Sequence, residues 1–477
     1  VQARDFDNEL TFHEYEQNGT VEEFHEAYEE AVESVRAELG GTHLLWIDGE
    51  RVDTGDRFDV VSPGNLDREV GEFAAGSSED VDAAVSAAAA VAPEWEASDV
   101  DFRVEIFRNA AAIMRDRKFE LAATISLENG KNRTEAMADV DESIDFLEFY
   151  SREFERSDGY AFDTGEPTPG QHTRNLLRPY GVFGVVAPFN FPMAIFVGMT
   201  AGALITGNTV VAKPAKTTSL IAHKCVDIFT EAGMPNGVLN LVMGGGRDVG
   251  QPLVEHEDVS GVVFTGSRKV GLSIQETFSE HGKHGPVIAE LGGKNPVIVS
   301  DTAALEDAVE GVMKGAFSFS GQKCSATSRV YVQEDVIDEF TDRLVAETEN
   351  LNIGRATERE TFVSPIINDS ALESYEDICA RAEEEGTVRT GGNVATDGEL
   401  ADGRFVEPTS SRTSLTATNS HVRNTSSHLS RFTRYPIWTR ESRSRTTPNT
   451  GSVPDSSRKT TTKSTGGSMK SSPVCAT

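Results

Sequence analysis

Between residues 182 and 332, short apolar runs alternate with longer segments of helical period, and no other feature constrains the fold as tightly. The runs fall at 182–187, 209–212, 238–242, 261–264, 287–288, 296–299 and 330–332, with helical segments such as 219–232 and 270–280 between them. Strands that take turns with helices pair in parallel and carry the helices on the sheet faces, which predicts a doubly wound α/β fold. The stretch 179–212 holds no charged residue, but Pro188, Asn190 and Pro192 interrupt it. Its uninterrupted part, 191–205, is too short to cross about 30 Å of hydrocarbon. It reads as a buried strand followed by a buried helix.

Upstream, residues 20–38 predict a charged amphipathic helix without a signal-peptide pattern. Residues 43–50 read as a strand and a turn, and 78–150 as helical. Around Pro167 and Gly170 the helical period fails, which points to a hairpin outside the main domain. The first residue is Val1, so the start is expected to be trimmed or to use a non-AUG codon.

The 477 residues suffice for two or three domains. Acids outnumber bases 77 to 44, a net charge of −33, which argues against nucleic acid and anionic membrane as partners. Runs such as Asp139-Val140-Asp141-Glu142 and Glu383-Glu384-Glu385 read either as ordinary solvated surface or as adaptation to a halophile's cytosol. In molar salt the Debye length falls to about 3 Å and screens such self-repulsion. Cys225, Cys324, Cys379 and Cys475 are too few for a disulfide framework and lack zinc spacing, so no metal is expected and a reducing cytoplasm fits.

From residue 410 the composition changes. The last 68 residues carry 11 Lys and Arg against two acids, Glu441 and Asp455, and 30 of them are Ser or Thr. One reading is a natural basic, disordered arm. The preferred one is a frame error, because Asp and Glu codons of a GC-rich gene read out of phase tend to give Thr and Arg.

Chemistry-bearing residues cluster in a few motifs. Phe319-Ser320-Gly321-Gln322-Lys323-Cys324-Ser325-Ala326 sets a thiol among small residues, near a Lys and at an expected helix start, where a Cys is either a nucleophile or a buried structural residue. Ile288-Ala289-Glu290-Leu291-Gly292-Gly293-Lys294 ends a strand on a carboxylate before paired glycines, as suits a general base or a plain strand-end acid. Pro188-Phe189-Asn190-Phe191-Pro192 holds an amide in a stiff turn that can donate to an oxyanion. Lys213 ends a strand, the run Gly244-Gly245-Gly246-Arg247-Asp248-Val249-Gly250 follows, and Phe264-Thr265-Gly266-Ser267 precedes a helix, an arrangement able to meet a dinucleotide.

In order and spacing these motifs resemble the aldehyde dehydrogenase superfamily over about residues 43–409. The extension before Trp46-Ile47-Asp48-Gly49-Glu50, the run 198–215 and the segment 319–326 are most similar to its 1-pyrroline-5-carboxylate (glutamate γ-semialdehyde) dehydrogenase branch. The resemblance implies a dinucleotide-binding domain (43–155 and 181–288), a catalytic α/β domain (289–409) and a bridging hairpin (156–180) that pairs with a neighbouring subunit in a homo-oligomer. An N-terminal helical extension (1–42) and the aberrant tail (410–477) flank them. It implies Cys324 as nucleophile, the Asn190 amide and the Cys324 N–H as oxyanion donors, and Glu290 as the base that activates water. Lys213 would contact the adenosine ribose, with Gly246, Gly266 and Ser267 lining the rest of the cofactor. Ser325 would bind the substrate carboxylate and Phe191 would wall its chain.

The implied cofactor is NAD; Lys216 stands where many NAD-preferring relatives carry Glu, so NADP stays open. The implied reaction is oxidation of glutamate γ-semialdehyde, a small-molecule aldehyde, to glutamate in proline breakdown. Another semialdehyde or general aldehyde, or a catalytically impaired dinucleotide-binding relative, remains as an alternative. A cysteine hydrolase is disfavoured because no His sits in a partner motif. Past Thr409 the family's glutamate-containing segment, substrate loop and C-terminal strand are not found.

Overall fold

The structure, a computed structural model, describes residues 6–412 and 429–435. Two antiparallel strands, β1 (Leu45–Ile47) and β2 (Glu50–Val52), turn at Asp48 and Gly49, both with positive φ. Five parallel strands follow: β3 (Val182–Val186), β4 (Thr209–Lys213), β5 (Leu239–Leu241), β6 (Val259–Gly266) and β7 (Val287–Leu291). Together they form a seven-stranded sheet in the order β7-β6-β3-β4-β5-β1-β2. Helices Ala194–Ile205, Ser219–Glu231 and Arg268–Glu280 make crossovers between them, as the alternation of apolar runs predicts.

The uncharged stretch becomes β3 and helix Ala194–Ile205, both buried. No helix among the described residues is long and apolar enough to cross a membrane. Helices α1 (Thr11–Asn18), α2 (Val21–Glu38), α3 (Ser78–Ala97), α4 (Val100–Asp116), α5 (Lys118–Asn129) and α6 (Arg133–Arg156) precede β3. On α2, Phe24, Tyr28, Val32 and Val35 recur at helical spacing and are the buried face, joined to the main core.

A second sheet holds β8 (Asn295–Val299), β9 (Thr327–Gln333), β10 (Thr387–Thr390), β11 (Thr409–Arg412) and β12 (Leu429–Tyr435) in the order β8-β9-β12-β11-β10. A smaller core of Val299, Val309, Val312, Val330, Val332, Ile337, Phe340 and Leu344 packs on it. Strands Ala161–Gly165 and Thr173–Leu176 form the hairpin expected around Pro167 and Gly170.

Two expectations need correction. The sheet does not stop at 409: Ser410 and Ser411 are buried in β11, and residues 429–435 of the Ser/Thr-rich tail pair in parallel with both β9 and β11. Backbone pairing needs no apolar alternation, and serine is small enough to bury, so composition alone hides such strands. The remainder of the tail lies outside the described residues. The acidic run 139–142 is solvated only at Glu142. Asp139 and Asp141 are buried, and Asp141 accepts hydrogen bonds from the Thr11 N–H (2.9 Å) and hydroxyl (2.6 Å).

Candidate active site

Register gathers the motif residues on one edge of the first sheet. Val186 of β3 lies opposite Lys213 of β4 and Phe264 of β6, while Thr265 and Gly266 lie opposite Glu290 and Leu291 of β7. Because the four strands are parallel, their C-terminal ends share that edge, where open α/β sheets bind ligands.

The turn after β3 is held from below. Asn129, buried at the end of α5, donates its amide to the Phe189 carbonyl (2.8 Å), next to half-buried Asn190. Asp139 accepts the Ala194 N–H (2.7 Å) at the start of the following helix and pairs with Lys131 (2.8 Å), both side chains being wholly buried. The Lys131 ammonium sits 3.6 Å from the Phe191 ring centre and 5.2 Å from that of Phe319, so one cation touches both the Asn190 turn and the Cys324 segment. Burial holds its pKa down against the pull of Asp139.

Cys324 is exposed, which removes the structural-thiol reading, and it lies in a turn ahead of β9 rather than at a helix start. Phe319 (φ 46°), Ser320 (φ 53°) and Gly321 (φ 72°) form three successive left-handed residues that reverse the chain just before it. Two side chains clamp this strained turn. The Ser320 hydroxyl donates to the Ser364 carbonyl, and the Gln322 side-chain carbonyl accepts the Ile367 N–H (3.0 Å). Asn295, five positions beyond Glu290, donates its amide to the carbonyls of Cys324 (2.7 Å) and Ala326 (3.1 Å). The thiol loop is therefore fastened to the segment that starts at Glu290. Glu290 and Ser325 are both exposed.

On the nucleotide side, Lys213 is only 6% exposed and its ammonium donates to the Pro214 carbonyl (3.0 Å), with no carboxylate partner among the described residues. Burial, then the charge of Lys216, pulls its pKa from 10.5 to about 8. A buried, uncompensated ammonium at a strand end fits a group that brings hydroxyls or negative charge. Gly246 faces open space, and a Cβ on Gly266 would come 2.6 Å from the Phe264 ring. Ser267 caps the next helix by accepting the Val270 N–H. Lys216 is exposed and lies over the Phe58 ring at 4.3 Å. Glu128, fully buried, accepts the Leu220 (2.6 Å) and Ile221 (3.0 Å) N–H groups at the start of the helix after Lys213. Burial raises its pKa to about 8.

Lys131, Asp139, Asn129, Gln322 and Asn295 were not singled out from the sequence; only Gln322 and Asn295, inside or beside motifs, offered a signal. The arrangement is that of a nucleotide-binding α/β enzyme in which a thiol loop is docked at the strand ends. The chain belongs to the aldehyde dehydrogenase family, whose pattern matches residues 46–415. The 1-pyrroline-5-carboxylate dehydrogenase of Anoxybacillus flavithermus is 40% identical over 398 residues, 82% of this chain and 75% of that protein. A solved 1-pyrroline-5-carboxylate dehydrogenase from Thermus, with bound NAD, has a TM-score of 0.84 and 35% identity, over 91% of this chain and 83% of that one. A betaine aldehyde dehydrogenase from Staphylococcus aureus, in complex with NAD+, has a TM-score of 0.80 and 27% identity, over 85% of this chain and 80% of that one.

Proposed function

We propose that this chain oxidises glutamate γ-semialdehyde to glutamate with NAD, as part of proline breakdown. The observation that carries the reading is the docking of the Cys324 turn, through Asn295, onto the segment that begins at Glu290. The Cys324 sulfur attacks the aldehyde carbon and forms a thiohemiacetal. The Asn190 amide and the Cys324 N–H donate to its oxyanion; one such donor is worth about 10²–10³ in rate. A nicotinamide bound at the strand ends accepts the hydride. Glu290 then takes a proton from water, which attacks the Cys324 thioester and releases the carboxylate.

Lys213 meets the adenosine ribose, and Gly246, Gly266 and Ser267 line the rest of the cofactor site. Lys216 lacks the carboxylate that would repel a 2′-phosphate, so NADP stays open as an alternative cofactor. Ser325 binds the substrate carboxylate and Phe191 walls its chain. The acidic composition belongs to a halophile's cytoplasm, and the hairpin pairs with a neighbouring copy in a homo-oligomer. The domain limits implied by the resemblance are kept, with the catalytic sheet extended to include β11 and β12. An absorbance assay of the full chain in high salt, with pyrroline-5-carboxylate and either cofactor, tests the reading. Turnover is expected for wild type and none for Cys324→Ala, which still binds NAD. Equal turnover by that variant refutes the assignment.

A further inference from the structure

Away from the strand ends, a small half-open cleft lies where α5, strands Arg57–Ser62 and Asn65–Ala74 and the 351–367 segment meet. Its walls include Ser62, Ser126 and Thr357 with the guanidinium-bearing Arg68 and Arg355. Arg36 of α2 reaches the same place and donates to the Thr357 hydroxyl at 3.3 Å. Two arginines thus line the cleft and a third stands beside its Thr357 wall, in a chain with a net charge of −33.

Two of the three have carboxylate partners, and Arg68 has none of its own among the described residues. Arg36 pairs with Glu33 (2.6 Å), and Arg355 with Glu399 (2.9 Å) and Asp402 (3.0 Å), each through terminal nitrogens and each with an exposed acid. The Nε atoms of Arg36 and Arg355 are buried and make no hydrogen bond. Arg68 has no ion pair among the described residues, and burial, then Arg36 and Arg355, holds its pKa below the ordinary value against the weaker pull of Glu33. Arg68 thus faces the cleft without an ion pair, beside two guanidiniums whose Nε donors are unanswered, and buried donors without acceptors are costly.

We propose that this cleft binds one small inorganic anion, an oxyanion such as phosphate or a halide, held by Arg68, Arg36 and Arg355 with Ser62, Ser126 or Thr357 as hydroxyl donors. Forked guanidiniums and hydroxyls are the donors such ions take. The anion also braces the segment behind the thiol loop, because Pro365 lines the cleft and its neighbour Ser364 accepts from Ser320.

The test is the melting temperature of the full chain, titrated with sodium phosphate or sodium chloride at an ionic strength held constant with sodium gluconate. At least one of the two salts is expected to give a saturable rise, and the one with the lower midpoint identifies the ion. Arg68→Gln is expected to raise that midpoint at least about tenfold, as when one charge-assisted contact is lost. It is also expected to melt no lower than wild type in gluconate alone, since repulsion is relieved. Should Arg68→Gln not fold, Arg68→Lys, which keeps charge but loses the fork, is read instead and is expected to bind more weakly. A wild-type response that does not saturate, or the same midpoint in the variant that is read, overturns the proposal.

Discussion

Replacing Lys213 by Met separates what its ammonium does to the fold from its proposed contact with the cofactor. A lysine whose pKa falls from 10.5 to about 8 on folding is charged at pH 7 in a place that disfavours charge. At about 1.4 kcal/mol per pH unit the displacement corresponds to roughly 3 kcal/mol of destabilisation below pH 8. Methionine has a similar stem and no charge, so it removes most of that. Only the hydrogen bond to the Pro214 carbonyl is lost in return, about 1 kcal/mol. The cofactor-free variant is expected to be more stable than wild type at pH 7 by about 1–3 kcal/mol.

The sign also predicts a pH profile. Between pH 8 and 10.5 the unfolded lysine is protonated and the folded one is not, so Lys213 makes wild-type stability rise through that window, and the variant lacks this contribution. NAD affinity, read by calorimetric titration at pH 7, is expected to fall about 10–100-fold, the loss of one charged hydrogen bond to a hydroxyl. Scanning calorimetry of the cofactor-free protein supplies the stability comparison. A variant that melts below wild type at pH 7, or binds NAD equally well, refutes the reasoning.

Glu290→Gln is expected to leave a burst of NADH equal to the enzyme concentration and then little steady turnover, because acyl transfer to Cys324 survives while hydrolysis stalls; rapid mixing reads this. Asn295→Ala is expected to lower kcat about 10–100-fold with KM little changed, and to alter the rate at which iodoacetamide alkylates Cys324, since two carbonyls of the thiol loop lose their anchor. For Glu128 the raised pKa means its contribution is fully present below about pH 4.5 and fades as pH rises to about 8. Glu128→Gln is expected to flatten that part of the stability profile, measured as urea midpoints from pH 5 to 8; an unchanged slope counts against it.

Much of the first sheet was legible because its strands are apolar runs bounded by glycine, proline and asparagine, a local signal that survives without tertiary information. The residues lining its edge were legible as motifs. Their supports were not. Lys131 and Asp139 look like surface charges in sequence, and only the packing of α5 against α6 turns them into a buried pair under Phe191. The left-handed conformations of Phe319 and Ser320 go against ordinary residue preference and exist because Ser364 and Ile367, more than 40 positions away, clamp the turn. The link from Asn295 to Cys324 depends on the register of β8 against β9, which no short window of sequence encodes.

The position of β12 has a practical consequence. It is the keystone of the second sheet, with β9 on one flank and β11 on the other. A chain cut after Arg412 leaves two ribbons, β8-β9 and β10-β11, each with a bare margin of unanswered amides and carbonyls. Such margins recruit strands from other molecules, so the shortened protein is expected to come out of the cell as clumps.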